Sequence, residues 1–333
     1  MSALYRIESH FNLPFRCARW RTVAVNAPSL WSKIILPLPL KMFKLLRDRS
    51  VPASLDLDVF VSYELFERDD DLISRTGDSL RHIVPRVSRL HVRHPADNQM
   101  NDFLGSHIGQ KEFSSLTSLE VDESEIEDDI REAVYVLNTP LLRKLAFFGR
   151  TSSLSRFPLA NLTDMTLDAM SLSGLEILKL LSATPRLECF DIVYGDVVCS
   201  DDTIPLPNVS LPLLRRLAII ELLTDEADRL LYHLEVPPSA HLKLWVSNDG
   251  HSTTIEDFIG RHMATHYGLK IFVEPLTFTL MSKCKEDISF CTLLDSEPAV
   301  DFLALSKHPT NLSRLELAIE LPPIKVLIGA LRA

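Results

Sequence analysis

Two histidines stand close enough together to raise the question of metal chemistry. His91 and His94 lie three residues apart in the stretch HVRHP, which itself supplies only these two ligands. A zinc site needs more, and positions three apart on a strand point to opposite faces. Cys284 and Cys291 are seven residues apart without a C-x-x-C motif, which is typical of core thiols. We therefore predict no metal site.

The motifs of nucleophilic and phosphate chemistry are also missing from the sequence. It contains no H-E-x-x-H, G-x-S-x-G, G-x-G-x-x-G or G-x-x-x-x-G-K-[ST] pattern. The stretch Gly105–Gly109 (GSHIG) places its serine one position too early for a nucleophile elbow. Two carboxylate-rich stretches, Glu67–Asp71 and Glu120–Glu132, are interpreted as a surface loop and a solvated helix start. We predict no catalytic residue, no cofactor and no enzyme.

Charge and apolar content narrow the classes of partner. The net charge of −10 over 333 residues argues against nucleic-acid binding, which needs a basic face. No run of about 20 apolar residues predicts a membrane span, and the first residues lack the apolar segment of a secretory signal. Five scattered cysteines fit a reducing compartment. We expect a cytoplasmic or nuclear protein that binds neither nucleic acid nor a membrane.

A degenerate repeat runs along the chain. Its pattern is a proline, then a leucine, two variable residues, a large apolar residue, one variable residue and another apolar residue. The clearest copies are Thr139–Phe147, Thr184–Ile192, Leu211–Ile219 and Pro309–Leu317. The final alternation has period two, so each copy predicts a short strand with one face inward. The leucine before it is expected to enter the same interior from a turn.

The anchors of the repeat, meaning the first large apolar residue of each strand, recur every 20 to 29 residues. They are Leu90, Leu119, Leu145, Met165, Phe190, Leu217, Leu244 and Ile271. This spacing is the period of leucine-rich repeats. A stack of such units places parallel strands on one side and helices on the other, and each unit buries its leucines against its neighbours.

Helical stretches alternate with the predicted strands. Ser124–Leu137 and the stretch SGLEILKLLSATP, with Leu175, Leu178 and Leu181, each place apolar residues on one helical face. Prolines end both stretches. A doubly wound α/β sheet also alternates strands and helices, but its glycine-rich phosphate loops are missing. We predict an α/β leucine-rich-repeat-like solenoid over residues 37–333, preceded by a helical segment over residues 1–36.

Three charged residues occupy equivalent places before their strands. They are Arg143, Glu188 and Arg215, each followed by a second variable residue. Variable positions of neighbouring repeats align in a stack, so these side chains are expected to form a charged stripe on the exposed face. We interpret the stripe as a candidate surface for a partner protein, and a purely solubilising role explains it equally well.

Two of the three tryptophans, Trp20 and Trp31, lie within twelve positions near the start of the chain. The stretch Phe15–Asn26 predicts one short helix around Trp20, and Pro28 ends it. Trp31 lies in the following turn and is expected to fold back onto this helix. The pair therefore predicts a small helical unit ahead of the repeats.

The same residues carry a family resemblance. The run Cys17-Ala18-Arg19-Trp20-Arg21, followed by Ala27-Pro28-Ser29-Leu30-Trp31-Ser32, resembles the second half of the F-box in fungal F-box proteins. That family typically shows a C-R-x-W-R helix, a P-x-L-W-S segment, a helix, an RS…P-L-x-L-x-I strand and degenerate leucine-rich repeats. Leu45–Val61, LLRDRSVPASLDLDVFV, stands where the family has that helix and strand.

The resemblance implies a substrate receptor of an SCF-type cullin–RING ubiquitin ligase. In that family the F-box binds the ligase adaptor and the repeats bind the target protein. Carried over, adaptor contacts fall on Cys17, Trp20, Arg21, Leu30 and Trp31. The L-P-x-E-L helix that opens an F-box has no counterpart before Trp20. The alternative interpretation is therefore a binding protein made of leucine-rich repeats, or a fragment of one, that has no association with a ligase.

Overall fold

The computed structural model describes residues 18–60, 77–93, 112–122, 138–148, 158–169, 174–194, 206–247, 253–263, 268–273, 276–281, 287–293 and 314–318. The chain divides into two compact units. The first unit comprises Met1–Leu142 and Ser153–Pro158, and the second comprises Arg143–Ser152 and Leu159–Ala333. Both units are α/β, which confirms the predicted class.

The first unit is a parallel sheet with helices at its start. Its elements are α1 (Ala18–Val25), a 3₁₀ turn (Pro28–Trp31), β1 (Lys33–Leu36), α2 (Leu40–Arg49), β2 (Leu55–Phe60), a 3₁₀ turn (Val84–Arg86), β3 (Val87–Arg93) and β4 (Ser118–Asp122). Strands β1, β2, β3 and β4 are neighbours in that order, and every pair is parallel.

The second unit continues the same alternation before it changes pattern. Its strands are β5 (Lys144–Phe148), β6 (Asp164–Ala169), β7 (Cys189–Tyr194), β8 (Val209–Ser210), β9 (Arg216–Leu223), β10 (Leu234–Glu235), β11 (His241–Ser247), β12 (Gly268–Val273), β13 (Leu276–Met281), β14 (Asp287–Leu293) and β15 (Arg314–Ala318). Its helices are α3 (Gly174–Ser182), α4 (Thr224–His233) and α5 (Thr253–Met263), with a 3₁₀ turn at Leu159–Asn161.

Strand order in the second unit begins in chain order. Strands β5, β6, β7, β9 and β11 are parallel neighbours, while the two-residue strands β8 and β10 pair with each other. Beyond β11 the order is β14, β13, β12 and β15, in which β13 runs antiparallel to both of its neighbours. A doubly wound sheet reverses its order at a switch point, and neither run of parallel strands does so.

The predicted anchors lie side by side in the buried face of each sheet. In the first unit the predicted anchors Leu90 and Leu119 are register partners and are buried, and the buried Leu57, which was not predicted as an anchor, lies beside Leu90. In the second unit the row of register partners consists of Leu145, Met165, Phe190, Leu217 and Leu242, all buried. The strands alternate as predicted, so that every second side chain enters the core.

Two of the predicted anchors are wrong. The register places Leu242, and not Leu244, beside Leu217. These two leucines lie two positions apart on one strand, so the period-two pattern fits either. Ile271 lies in β12, which is not a neighbour of β11. Only two residues separate β12 from β13, and a connection that short joins antiparallel strands.

The helix predictions that fall on described residues are confirmed. Helix α3 lies within the predicted stretch and buries Leu178 and Leu181, whereas Leu175 is half-buried. Helix α1 lies within the predicted range 15–26. The leucines predicted to enter from turns, such as Leu187 and Leu214, are buried. The predicted helix over 124–137 lies outside the described residues.

Candidate protein-interaction surfaces

Trp31 fixes the beginning of the first unit. Its indole Nε1 donates a hydrogen bond of 2.6 Å to the carbonyl oxygen of Ala24 in α1, as the predicted fold-back requires. The Arg49 guanidinium, at the end of α2, lies 4.7 Å from the centre of its ring. The side chain is only 8% exposed. Trp31 therefore holds α1, the 3₁₀ turn and α2 together.

Leu30 has the opposite environment to its neighbour. Its side chain is 65% exposed, and Val23 and Val25 of α1 are exposed as well. Trp20 and Arg21 lie in α1, and Cys17 lies outside the described residues. The N-terminal surface is defined here as Val23, Val25 and Leu30. Of the predicted adaptor contacts, Leu30 is thus presented to solvent, whereas Trp31 has a packing role and its adaptor contact stays a prediction.

The charged stripe predicted in the second unit has a backbone basis. The carbonyl oxygen of Arg143 accepts hydrogen bonds from the amides of Thr163 and Asp164. In the same way the carbonyl oxygen of Thr163 accepts hydrogen bonds from the amides of Glu188 and Cys189. The carbonyl oxygen of Glu188 accepts hydrogen bonds from the amides of Arg215 and Arg216. Arg143, Glu188 and Arg215 therefore hold equivalent places. Thr163 fills the place between the first two and was missed because its repeat lacks the nearby proline.

The side chains of the stripe make contacts of their own. Arg143 Nη1 donates a 3.0 Å hydrogen bond to the carbonyl oxygen of Asn161. Arg215 Nε lies 3.3 Å from Glu188 Oε2, and its side chain is 78% exposed. Exposed pairs of this kind contribute little to stability. Their charges are therefore free to be shared with a partner at small cost.

One residue further along, a second charged row crosses the second unit. Lys144, Asp164, Cys189, Arg216 and His241 are register partners in adjacent strands. Lys144 Nζ lies 3.0 Å from Asp164 Oδ1. Arg216 Nη2 lies 2.9 Å from Oδ2 of Asp191, which stands two positions after Cys189 on β7. The row consists largely of compensated pairs.

Burial raises the pKa of two groups there. Burial raises the pKa of the Asp191 carboxyl above its ordinary value, and the nearby Arg216 guanidinium opposes this rise. Among the described residues Asp191 Oδ1 is buried and has no hydrogen-bond partner. Burial, followed by the charge of Asp164, raises the pKa of the Cys189 thiol. Since the thiolate is the nucleophile, Cys189 is poorly suited to covalent chemistry.

The first unit carries a row that the sequence prediction missed. His91 in β3 stands between its register partners Asp58 in β2 and Glu120 in β4. His91 Nδ1 lies 3.6 Å from Asp58 Oδ1, and Nε2 lies 3.3 Å from Glu120 Oε1. Arg93 Nε donates to His91 Nε2 at 3.2 Å. In the sequence, the three residues of this row share one feature, because each directly follows a buried leucine: Leu57, Leu90 or Leu119.

The carboxylates around His91 do not converge on one point. They approach opposite nitrogens of the imidazole, and a single cation cannot use both. Within the described ranges no group of three histidine, cysteine or carboxylate side chains is arranged to hold a metal ion. His94, the other half of the predicted pair, lies outside those ranges. The stripe, the second charged row and the row around His91 offer paired charges for binding, and the N-terminal surface offers exposed apolar groups.

Comparisons with known proteins add no family or relative. No protein-family model, curated protein or solved structure matches the chain. None of the helices in the described part of the chain is both long and apolar enough to cross a membrane.

Proposed function

We propose that this chain is a protein-interaction module that acts as the substrate receptor of an SCF-type cullin–RING ubiquitin ligase. The N-terminal surface binds the ligase adaptor, and the repeats recruit a target protein through the stripe of Arg143, Glu188 and Arg215. The receptor performs no chemistry itself. Its place of action is the cytoplasm or the nucleus, and it requires no cofactor.

The observation that carries the proposal is the contrast between Leu30 and Trp31. The P-x-L-W-S segment holds Trp31 in the core and presents the preceding Leu30 to solvent. Burying a leucine at an interface contributes about 1.5–3 kcal/mol, so an exposed leucine beside a fixed tryptophan is a suitable anchor.

The finer fold belongs to the same proposal. We infer a degenerate leucine-rich-repeat solenoid over residues 37–333, following a partial F-box-like segment over residues 1–36. Parallel strands in chain order, buried anchors in register and turns joined by shared carbonyls support the repeat. β1, at residues 33–36, pairs with β2, so the two segments meet within one sheet.

The test is direct binding of the purified full chain to a purified cullin adaptor. Leu30→Glu is expected to weaken binding at least about tenfold, because a charge replaces the buried anchor. Leu213→Glu is the matched control, since Leu213 is a leucine 52% exposed in the second unit, and this variant should bind normally. Circular dichroism melts verify that both variants fold.

The alternative function is a leucine-rich-repeat binding protein or fragment without ligase association. The burial of Trp31 favours it, since a tryptophan that packs within the chain is not available to an adaptor. An adaptor that fails to bind the folded chain would support this alternative and exclude the receptor. Equal binding of wild type and Leu30→Glu would instead exclude Leu30 as the adaptor contact.

A further inference from the structure

Helix α2 has one face that no other element covers within the described residues. Phe43 and Leu46 point into the core and are buried. On the opposite side Leu40, Lys41, Lys44 and Leu45 are exposed. These four residues are called the α2 outer face. Leu40, the first residue of the helix, is 56% exposed.

The apolar and basic groups of the α2 outer face alternate. Leu40 and Lys44 lie one helical turn apart, and so do Lys41 and Leu45 on the adjacent row. Each leucine therefore has a lysine above or below it. A partner must match both kinds of group at helical spacing, with apolar side chains opposite the leucines and acidic ones opposite the lysines.

The sequence around α2 is rich in positive charge, which also favours an acidic partner. Residues 18–50 contain seven lysines and arginines and a single acid, Asp48, although the whole chain carries −10. A local positive field on an otherwise negative protein attracts an acidic partner and repels a basic one.

We propose that the α2 outer face binds an acidic amphipathic helix of a partner protein. Recognition between helices uses exposed apolar side chains as anchors. Leu40 and Leu45 lie five positions apart, on either side of the two lysines, and supply one apolar anchor at each edge of the contact. The lysines provide selection by charge. This site goes beyond the proposed receptor function, because it involves neither Leu30 nor the stripe of Arg143, Glu188 and Arg215.

Other occupants fit the face less well. A helix that lies on a membrane separates an apolar stripe from a basic one, whereas here the two kinds of residue are mixed. Exposed leucines offer nothing to a nucleic-acid backbone.

The probe is a synthetic helix of about 20 leucine and glutamate residues, with leucines at i, i+3, i+4 and i+7. Its counterpart has lysine in place of every glutamate. Titration of the full chain should show saturable binding of the acidic peptide alone, weakened by added salt. The double variant Lys41→Glu/Lys44→Glu should lose affinity about tenfold. Lys179→Glu, at an exposed lysine of α3, is the control and should bind like wild type.

Four results would overturn the proposal. One is no binding of the acidic peptide by the folded chain, and another is equal binding of both peptides. A third is binding to phosphatidylserine vesicles that Lys41→Glu/Lys44→Glu abolishes, which would assign the face to a membrane. The fourth is self-association abolished by the same variant, which would assign it to a second copy. Adaptor binding through Leu30 is measured separately, so neither proposal decides the other.

Discussion

The two units complete the ends of their helices in different ways. In the first, Ser50 Oγ donates to the carbonyl oxygen of Arg47 at the end of α2. A residue from the following repeat adds to this bond, because the Arg86 guanidinium donates to the carbonyl oxygens of Arg47 and Ala53 and to Ser50 Oγ. In the second, α3 relies on its own next turn, where Thr184 Oγ1 donates to the carbonyl of Leu181 at 3.0 Å. Both solutions satisfy carbonyls that a helix end leaves unpaired.

The two side chains connect parts of the chain that are separated by very different numbers of residues. Arg86 bonds across 33 to 39 residues of sequence, so it ties the α2 end and the β2 approach to the β3 approach. Thr184 bonds only three or four residues back. Loss of the arginine should loosen neighbouring repeats together, whereas loss of the threonine should loosen one helix end.

The largest expected effect is that of Arg86→Ala. It leaves partly buried carbonyls and the buried Ser50 hydroxyl without their charged donor, and we expect a loss of about 3 kcal/mol in the free energy of unfolding. Hydrogen exchange should accelerate in α2, β2 and β3 together. Arg81→Ala is the control, because Arg81 is exposed and has only a 3.6 Å contact with Asp78. Exchange changes confined to the Val84–Arg86 turn would contradict the cross-repeat role.

A smaller effect is expected of Thr184→Val, which keeps the shape and removes the hydroxyl. The buried site loses one hydrogen bond to a helix carbonyl, at a cost of about 1–2 kcal/mol in denaturant unfolding. Faster exchange should be limited to the last turn of α3. Ser182→Ala, which removes an exposed hydroxyl bonded to Lys179, should change stability by less than about 0.5 kcal/mol. Equal losses in the two variants would refute the argument from burial.

The smallest effect concerns the strand face of the second unit. Because the pKa of Asp191 is raised in the fold, its contribution to stability is present below the ordinary value of 3.8 and is lost as pH rises through the folded pKa. Asp191→Asn should flatten this part of the stability–pH curve, by less than about 1 kcal/mol. Arg216→Gln should steepen it, since the guanidinium holds the pKa down. A curve that Arg216→Gln flattens would reverse the assigned sign.

Most anchors of the sheet could be predicted from the sequence. A leucine followed by alternating residues predicted β5, β7 and β9, because a half-buried strand imposes period two whatever its neighbours are. The fold-back of Trp31 followed from its position just past Pro28. These features depend on residues close together in the chain, and local pattern determines them.

What the sequence did not supply depends on register and on distant partners. The choice between Leu242 and Leu244 needs the neighbouring strand, and the row of Asp58, His91 and Glu120 appears only when three strands are aligned. Arg86 looks like any surface arginine until the end of α2 lies against it. The antiparallel β13 interrupts a spacing that had been regular up to β11.

The shared carbonyls at the stripe have one further consequence. At these places the repeats are joined by main-chain atoms, which every residue except proline provides with the same donor and acceptor. The side chains of Glu188 and Arg215, an exposed ion pair, are therefore open to exchange, whereas those of Arg143 and Thr163 also donate hydrogen bonds to main-chain carbonyls. A library that varies residues 188 and 215 should therefore yield folded proteins whose exposed charges differ on an unchanged backbone.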